Sequence, residues 1–157
     1  MKRILLYIVI LGAMLFTPVE ASDVGKLLPV QVVAVYSEKG HYIMRTDTQD
    51  MGVGETVEQA LENMKDTAPG IIYLDTAEFL LLEEQTLQAA EELRPMLRDS
   101  VRLCLVEGKI DPGETALFLS AHGQLPQLKT WKPGADLPVL TMREKRLIFS
   151  KKTENNA

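Results

Sequence analysis

The chain has 157 residues, with 17 Lys or Arg against 22 Asp or Glu, a net charge of −5, and 46% hydrophobic residues. These values suit a globular domain and exclude collagen-like, coiled-coil and wholly disordered chains. The acidic balance argues against nucleic acid as a partner, and a single Cys excludes an internal disulfide and any multi-Cys metal site.

The N-terminus has the three parts of a secretory signal peptide. Met1-Lys2-Arg3 is basic, Ile4 to Phe16 is an uncharged apolar run, and Thr17-Pro18-Val19-Glu20-Ala21 ends in small residues. The run falls short of the roughly 20 residues that cross a bilayer as a helix. Cleavage is expected between Ala21 and Ser22, and an uncleaved leader would leave the protein membrane-tethered. No Cys stands at the end of the run, so a lipid anchor is not expected. Loss of Lys2, Arg3 and Glu20 leaves 136 residues with 15 basic and 21 acidic side chains. That is enough for one domain with its own core.

Leu28 to Ser37 is rich in β-branched residues and predicts a strand with Pro29 at its edge. After a turn at Glu38-Lys39-Gly40, His41 to Thr48 alternates, with Tyr42 and Met44 on one side and His41, Ile43 and Arg45 on the other. The two segments predict a hairpin. Gly52-Val53-Gly54 follows as a turn. Val57, Ala60, Leu61 and Met64 then recur at helical spacing in a helix over 55–67 that Pro69-Gly70 stops. Ile71 to Leu74 and Glu78 to Leu82 predict strand, turn and strand, the second fully buried. A helix over 84–98 turns Leu87, Ala90, Leu93 and Leu97 inward, with Pro95 kinking or shortening it. Val101 to Val106 predicts a buried strand. Asp111-Pro112-Gly113-Glu114 is a helix start, with Asp as cap, Pro in the first turn and Glu three residues after the cap. That helix reaches Ala121 and ends at Gly123. Gln124 to Pro138 is a long loop around Trp131, and Val139 to Met142 with Arg146 to Phe149 form a closing hairpin. Residues 150–157 are a polar tail. The expected fold is α/β (α+β): a single domain over 22–149, a mixed sheet with about three helices packed on it.

Chemistry is sparse. Gly52-Val53-Gly54 lacks the third glycine of a dinucleotide fingerprint and any following Gly-Lys-Ser/Thr. Cys104 lies inside an apolar strand, where an inert thiol is expected. Ser120 and His122 are two apart on a helix end and point in different directions. His41 and His122 have no zinc spacing. The clusters Asp47-Thr48-Gln49-Asp50 and Asp75-Thr76-Ala77-Glu78 lack a calcium loop's ligand alternation. No catalytic constellation, cofactor or metal site is expected. Asp75, Glu78, Glu83 and Glu84 could serve a small exported hydrolase if they converged. Trp131, flanked by Lys129 and Lys132 in a Pro-rich loop, is the one candidate contact for a protein partner or an extracellular small ligand. The alternative is that its ring covers the sheet edge.

Gly54-Glu55-Thr56-Val57-Glu58-Gln59-Ala60-Leu61-Glu62-Asn63-Met64 resembles the Thr-hydrophobic-x-x-Ala-Leu helix that follows a strand pair in the Ger(x)C family, the C subunits of bacterial spore germinant receptors. Ile71 to Leu74, Glu78 to Leu82 and Val101 to Lys109 are similar to that family's later segments. The resemblance spans roughly residues 28–122, the family's N-terminal domain. The chain departs from the family in having no lipidation Cys, in its shorter length, and in Asp75 and Glu78 where basic residues are usual. The resemblance implies no enzymatic activity and transfers no site residue. It implies a protein-interaction module, an accessory in spore germination or sporulation, exported and working beside a membrane or envelope protein.

Overall fold

A computed structural model describes residues 26–122 and 124–150. The expected leader and Ala21–Ser22 cleavage site, the expected helix end at Gly123 and residues 151–157 lie outside the described residues.

The strands are β1 (Leu27–Pro29), β2 (Val32–Glu38), β3 (His41–Thr46), β4 (Met51–Gly54), β5 (Ile71–Tyr73), β6 (Phe79–Leu82), β7 (Arg102–Glu107), β8 (Val139–Arg143) and β9 (Arg146–Ser150). The helices are α1 (Val57–Thr67), α2 (Ala89–Leu93) and α3 (Pro112–Ala121). Seven strands form one mixed sheet in the order β4-β3-β2-β6-β7-β8-β9, and β1 pairs with β5 in a separate two-stranded sheet. The four central strands are parallel, and an antiparallel hairpin flanks them at each end. The fold is the expected mixed α+β single domain with three helices.

Parallel strands buried on both faces read as unbroken apolar runs. Phe79 to Leu82 is such a run, and all four side chains are fully buried. Alternation divides the sheet's side chains between two cores. Val33, Val35, Leu80, Leu82, Leu103 and Leu105 face α1 and α2, packing with Val57, Ala60, Leu61, Met64, Ala90 and Leu93. Val32, Ala34, Tyr36, Phe79, Leu81, Cys104 and Val106 face the α3 side and pack with Ile110 and Leu119. The sheet is the middle of three layers.

The β2–β3 and β8–β9 hairpins each turn on two residues with positive φ, Lys39 and Gly40 in one and Glu144 and Lys145 in the other. That is the type I′ geometry, whose twist matches the strands it joins. Thr56 caps α1, accepting from the Gln59 N–H at 3.2 Å, so Glu55 stands outside the helix and Glu58 occupies its first turn. Asp111 caps α3 as expected, accepting from the Gly113 N–H at 3.0 Å, with Pro112 following it.

Several expectations need correction. The single strand over 28–37 is two strands in two sheets. Pro29 brings no N–H to a ladder. The next donors are taken by side chains: Val30 N–H by Thr76 Oγ1 at 2.9 Å, and Gln31 and Val32 N–H by Asp47 Oδ1 at 2.9 and 3.0 Å. Ile71–Tyr73 therefore pairs with β1 in parallel, not with the strand that follows it. Gly52-Val53-Gly54 is an edge strand, not a turn. The helix expected over 84–98 is three short pieces, 3-10 turns at Glu84–Thr86 and Arg94–Met96 around the five residues of α2. Pro95 cannot donate to an α-helical ladder. At the other end Thr86 closes a capping box with Glu83. Ser150, expected in the polar tail, belongs to β9 and pairs with Val139.

Candidate functional site

Trp131 is only 4% exposed. Its ring belongs to the core beneath α1 and α2, with Leu128 and Leu137 from the same loop. The loop is drawn there from the sheet. Leu103 N–H donates to Pro126 O at 2.8 Å and Leu128 N–H to Val101 O at 2.7 Å, pairing residues 126–128 with the start of β7. Leu105 N–H then donates to Pro138 O, where β8 takes over beside the second half of β7. Between these two anchors the chain crosses one face of the sheet, and Trp131 fills the space beneath it. The contact expected of Trp131 with Lys129 and Lys132 is thus corrected at its centre. Lys129 and Lys132 are exposed, but the ring between them points inward. The indole Nε1–H is buried with no acceptor among the described residues.

The carboxylates proposed for a hydrolase are not brought together. Asp75 and Glu78 lie before the start of β6, and Glu83 and Glu84 after its end. Five extended residue steps lead from Glu78 to Glu83, roughly 16 Å at about 3.3 Å each. Asp75 pairs with Arg98 at 3.1 Å, and that guanidinium holds its carboxyl below the usual range. Glu78 pairs with Arg102 at 3.1 Å. Glu83 Oε2 accepts from Ser37 N–H at 2.8 Å, binding the end of β2 to the turn after β6.

Arg98 and Arg102, with Thr76, Glu78, Ser100 and Gln127, line an open groove of about 580 Å³. Arg102 also lies over the Phe79 ring, 4.2 Å from its centre. Ligands of open parallel sheets collect outside the carboxyl ends of the strands, and this groove lies at the opposite end. Its two arginines are already paired with carboxylates. They join neighbouring strand starts.

Cys104 is fully buried, and burial pushes its thiol up to about 12, where it is no nucleophile near neutral pH. His122 Nδ1 lies 2.8 Å from Phe118 O, and its ring stacks on Phe118 at 4.1 Å. His41 Nδ1 lies 3.3 Å from Lys39 O, on the hairpin turn at the far end of the chain's first strand pair. Among the described residues no three His, Cys, Asp or Glu side chains cluster as metal ligands.

One surface was missed at the sequence level. In the β1–β5 pair, Leu27 stands beside Ile71 and Pro29 beside Tyr73. Neighbours in register point to the same side of a sheet. Leu28 and Ile72 turn to the other side, and Ile72 enters the core. Leu27, Pro29, Ile71 and Tyr73 thus form one outer apolar face, with Ile71 54% and Tyr73 41% exposed. Alternation in Ile71-Ile72-Tyr73 cannot be read from three apolar residues. Only the pairing with β1 tells the outer two from the inner one.

No protein-family model matches the chain, and neither a curated protein nor a solved structure is significantly similar to it. Among the described residues no helix is long and apolar enough to cross a membrane.

Proposed function

We propose that the chain is an exported, non-enzymatic protein-interaction module that docks on a membrane or envelope protein through the outer face of the β1–β5 pair. The observation that carries this reading is the set of apolar side chains Leu27, Pro29, Ile71 and Tyr73 on one solvent-facing surface. Contiguous apolar surface of this kind marks interaction sites more often than isolated exposed residues do. The position adds weight. Ten residues separate Phe16, the end of the N-terminal apolar run, from Leu27, so a chain that keeps its leader holds this face close to the bilayer. A germination or sporulation role is the particular setting that the Ger(x)C resemblance suggests, and it rests on that resemblance.

The test is capture from detergent-solubilised envelopes of the host, with a photo-crosslinking residue at position 71. A multi-span membrane protein should be recovered with the parent chain and lost with Ile71→Lys/Tyr73→Lys. It should be retained with Leu117→Lys, which alters an exposed apolar residue on α3. Recovery that is indifferent to the double substitution would overturn the assignment of the face. Turnover of a small substrate by the purified chain would overturn the non-enzymatic reading.

A further inference from the structure

The two edges of the seven-stranded sheet are treated differently. At β4, residues 52 and 54 are the small ones and α1 lies directly over them. Asn63 Nδ2 donates to Val53 O at 2.5 Å, and Thr67 Oγ1 lies 3.5 Å from Met51 O. Side chains of α1 thus cover the outward carbonyls of that edge. Open edges recruit other strands, and natural sheets blunt them in this way. At β9 nothing comparable exists among the described residues. No side chain of a described residue bonds to the backbone of Arg146–Ser150, although Leu147, Ile148 and Phe149 make it the most apolar edge segment of the sheet.

The turn fixes which backbone groups are free. In a two-residue type I′ hairpin the flanking residues, Arg143 and Arg146, form a hydrogen-bonded pair. By alternation Arg146, Ile148 and Ser150 direct their N–H and C=O groups to β8. Leu147 and Phe149 direct theirs outward.

We infer that β9 is the dimer interface of this protein, pairing antiparallel with β9 of a second copy about a twofold axis at Ile148. This register makes Leu147 and Phe149 of each copy a hydrogen-bonded pair with Phe149 and Leu147 of the other, so every outward group of the two residues is used. Pairing centred on Leu147 or on Phe149 would leave one of the two without its counterpart. The apolar residues match as well. Leu147 lies across from Phe149 on the α3 side, where Phe149 already packs at 5.5 Å against Phe118. Ile148 meets its own copy on the other side. The only charge in the strand, Arg146, falls opposite Ser150, so no like charges oppose within Arg146–Ser150. The surface is its own complement, as an isologous interface requires. The result is a continuous fourteen-stranded sheet, twice the seven strands of one copy. This inference does not depend on what docks on the β1–β5 face.

The test uses the chain produced from the full sequence. Light scattering after size exclusion should give twice the mass of one chain at micromolar concentration. Ile148→Lys places two lysines against each other only in the dimer and should weaken association at least tenfold. Ile148→Glu should do the same, and mixing the two variants should restore a dimer. Ile148 faces itself in a non-hydrogen-bonded pair, where Cα atoms are about 4.5 Å apart, so Ile148→Cys should crosslink under mild oxidation and Leu147→Cys alone should not. Cys104, fully buried, does not compete. A monomer at these concentrations overturns the inference. So does a dimer that survives Ile148→Lys, or one in which Leu147→Cys crosslinks as readily as Ile148→Cys.

Discussion

Trp131 shows how one side chain can be misplaced by its neighbours in sequence. Lys129, Lys132 and Pro133 mark an exposed loop, and the loop is exposed. The ring is not, because the segments on either side of it are hydrogen-bonded to β7, at Leu103 and at Leu105, and hold it against the sheet. Neither anchor has a signature in local sequence. As the chain's single tryptophan it reports on the core. Its emission should be blue-shifted and shielded from iodide in the native state, moving to that of free indole on unfolding. Trp131→Ala should cost about 3–5 kcal/mol, the range for emptying a large aromatic site. Trp131→Phe should stay within about 1 kcal/mol of the parent, because the lost ring volume is offset by removal of a buried N–H that has no acceptor. Urea denaturation followed by far-UV circular dichroism reads both. A Phe variant as damaged as the Ala variant would mean that the indole N–H is satisfied after all.

The elements divide by how local their causes are. The two hairpin turns, the cap at Asp111 and the run Phe79 to Leu82 depend on residues within a few positions of one another, and all were legible. The cap at Thr56 is as local, but the expected helix starts at Glu55 and has Thr56 inside it. The break after Pro29, the pairing of Leu27 with Ile71 and the dissolution of the 84–98 helix depend on distant partners. Thr86 illustrates the second kind. Its hydroxyl donates to Val35 O at 2.9 Å, across a sequence separation that no helical periodicity records. The edge strand β4 is another case, since glycines usually argue against a strand. Here they are required by α1. A Cβ on Gly52 would meet Ala60 O, with Met64 N at 2.6 Å and Met64 Cβ at 2.7 Å. Backbone atoms cannot rotate away, so Gly52→Ala must push α1 off the sheet. A loss near 3 kcal/mol is expected, the upper end for overpacking. Gly40→Ala is the control. Its Cβ would meet nothing within 4 Å, and only the φ of +83° resists it, at about 1–2 kcal/mol. Equal losses for the two in urea denaturation would rule out the close approach as the reason for glycine at position 52.

At the scale of the molecule the sheet separates two unequal layers. The layer under α1 and α2 is almost wholly aliphatic apart from Trp131, whereas the α3 side buries two ionisable groups. Tyr36 donates its hydroxyl to Ile110 O at 2.5 Å, fastening the connection that leads into α3 to the middle of the sheet. Burial, against the opposing effect of that hydrogen bond, pushes the phenol up to about 12. Burial alone does the same to the Cys104 thiol on the same face. Both groups are neutral when protonated, and the folded chain keeps protons that the unfolded chain surrenders near pH 9 for the thiol and pH 10 for the phenol. Their contribution to stability is therefore whole below pH 9. It erodes as pH rises from there toward 12, by at most about 1.4 kcal/mol per pH unit for each group. The urea midpoint should accordingly hold from pH 7 to 9 and fall steadily above it. Cys104→Ala should delay the fall by about a pH unit, to the onset set by Tyr36, and Tyr36→Phe/Cys104→Ala should flatten the curve further while lowering it throughout for the lost hydrogen bond and methyl-sized void. Thiol reagents should label Cys104 only in step with unfolding. A midpoint that stays level to pH 11 in the parent chain, or labelling in the native state at pH 8, would show that water reaches the α3 side of the sheet and that this layer opens independently of the one beneath α1 and α2.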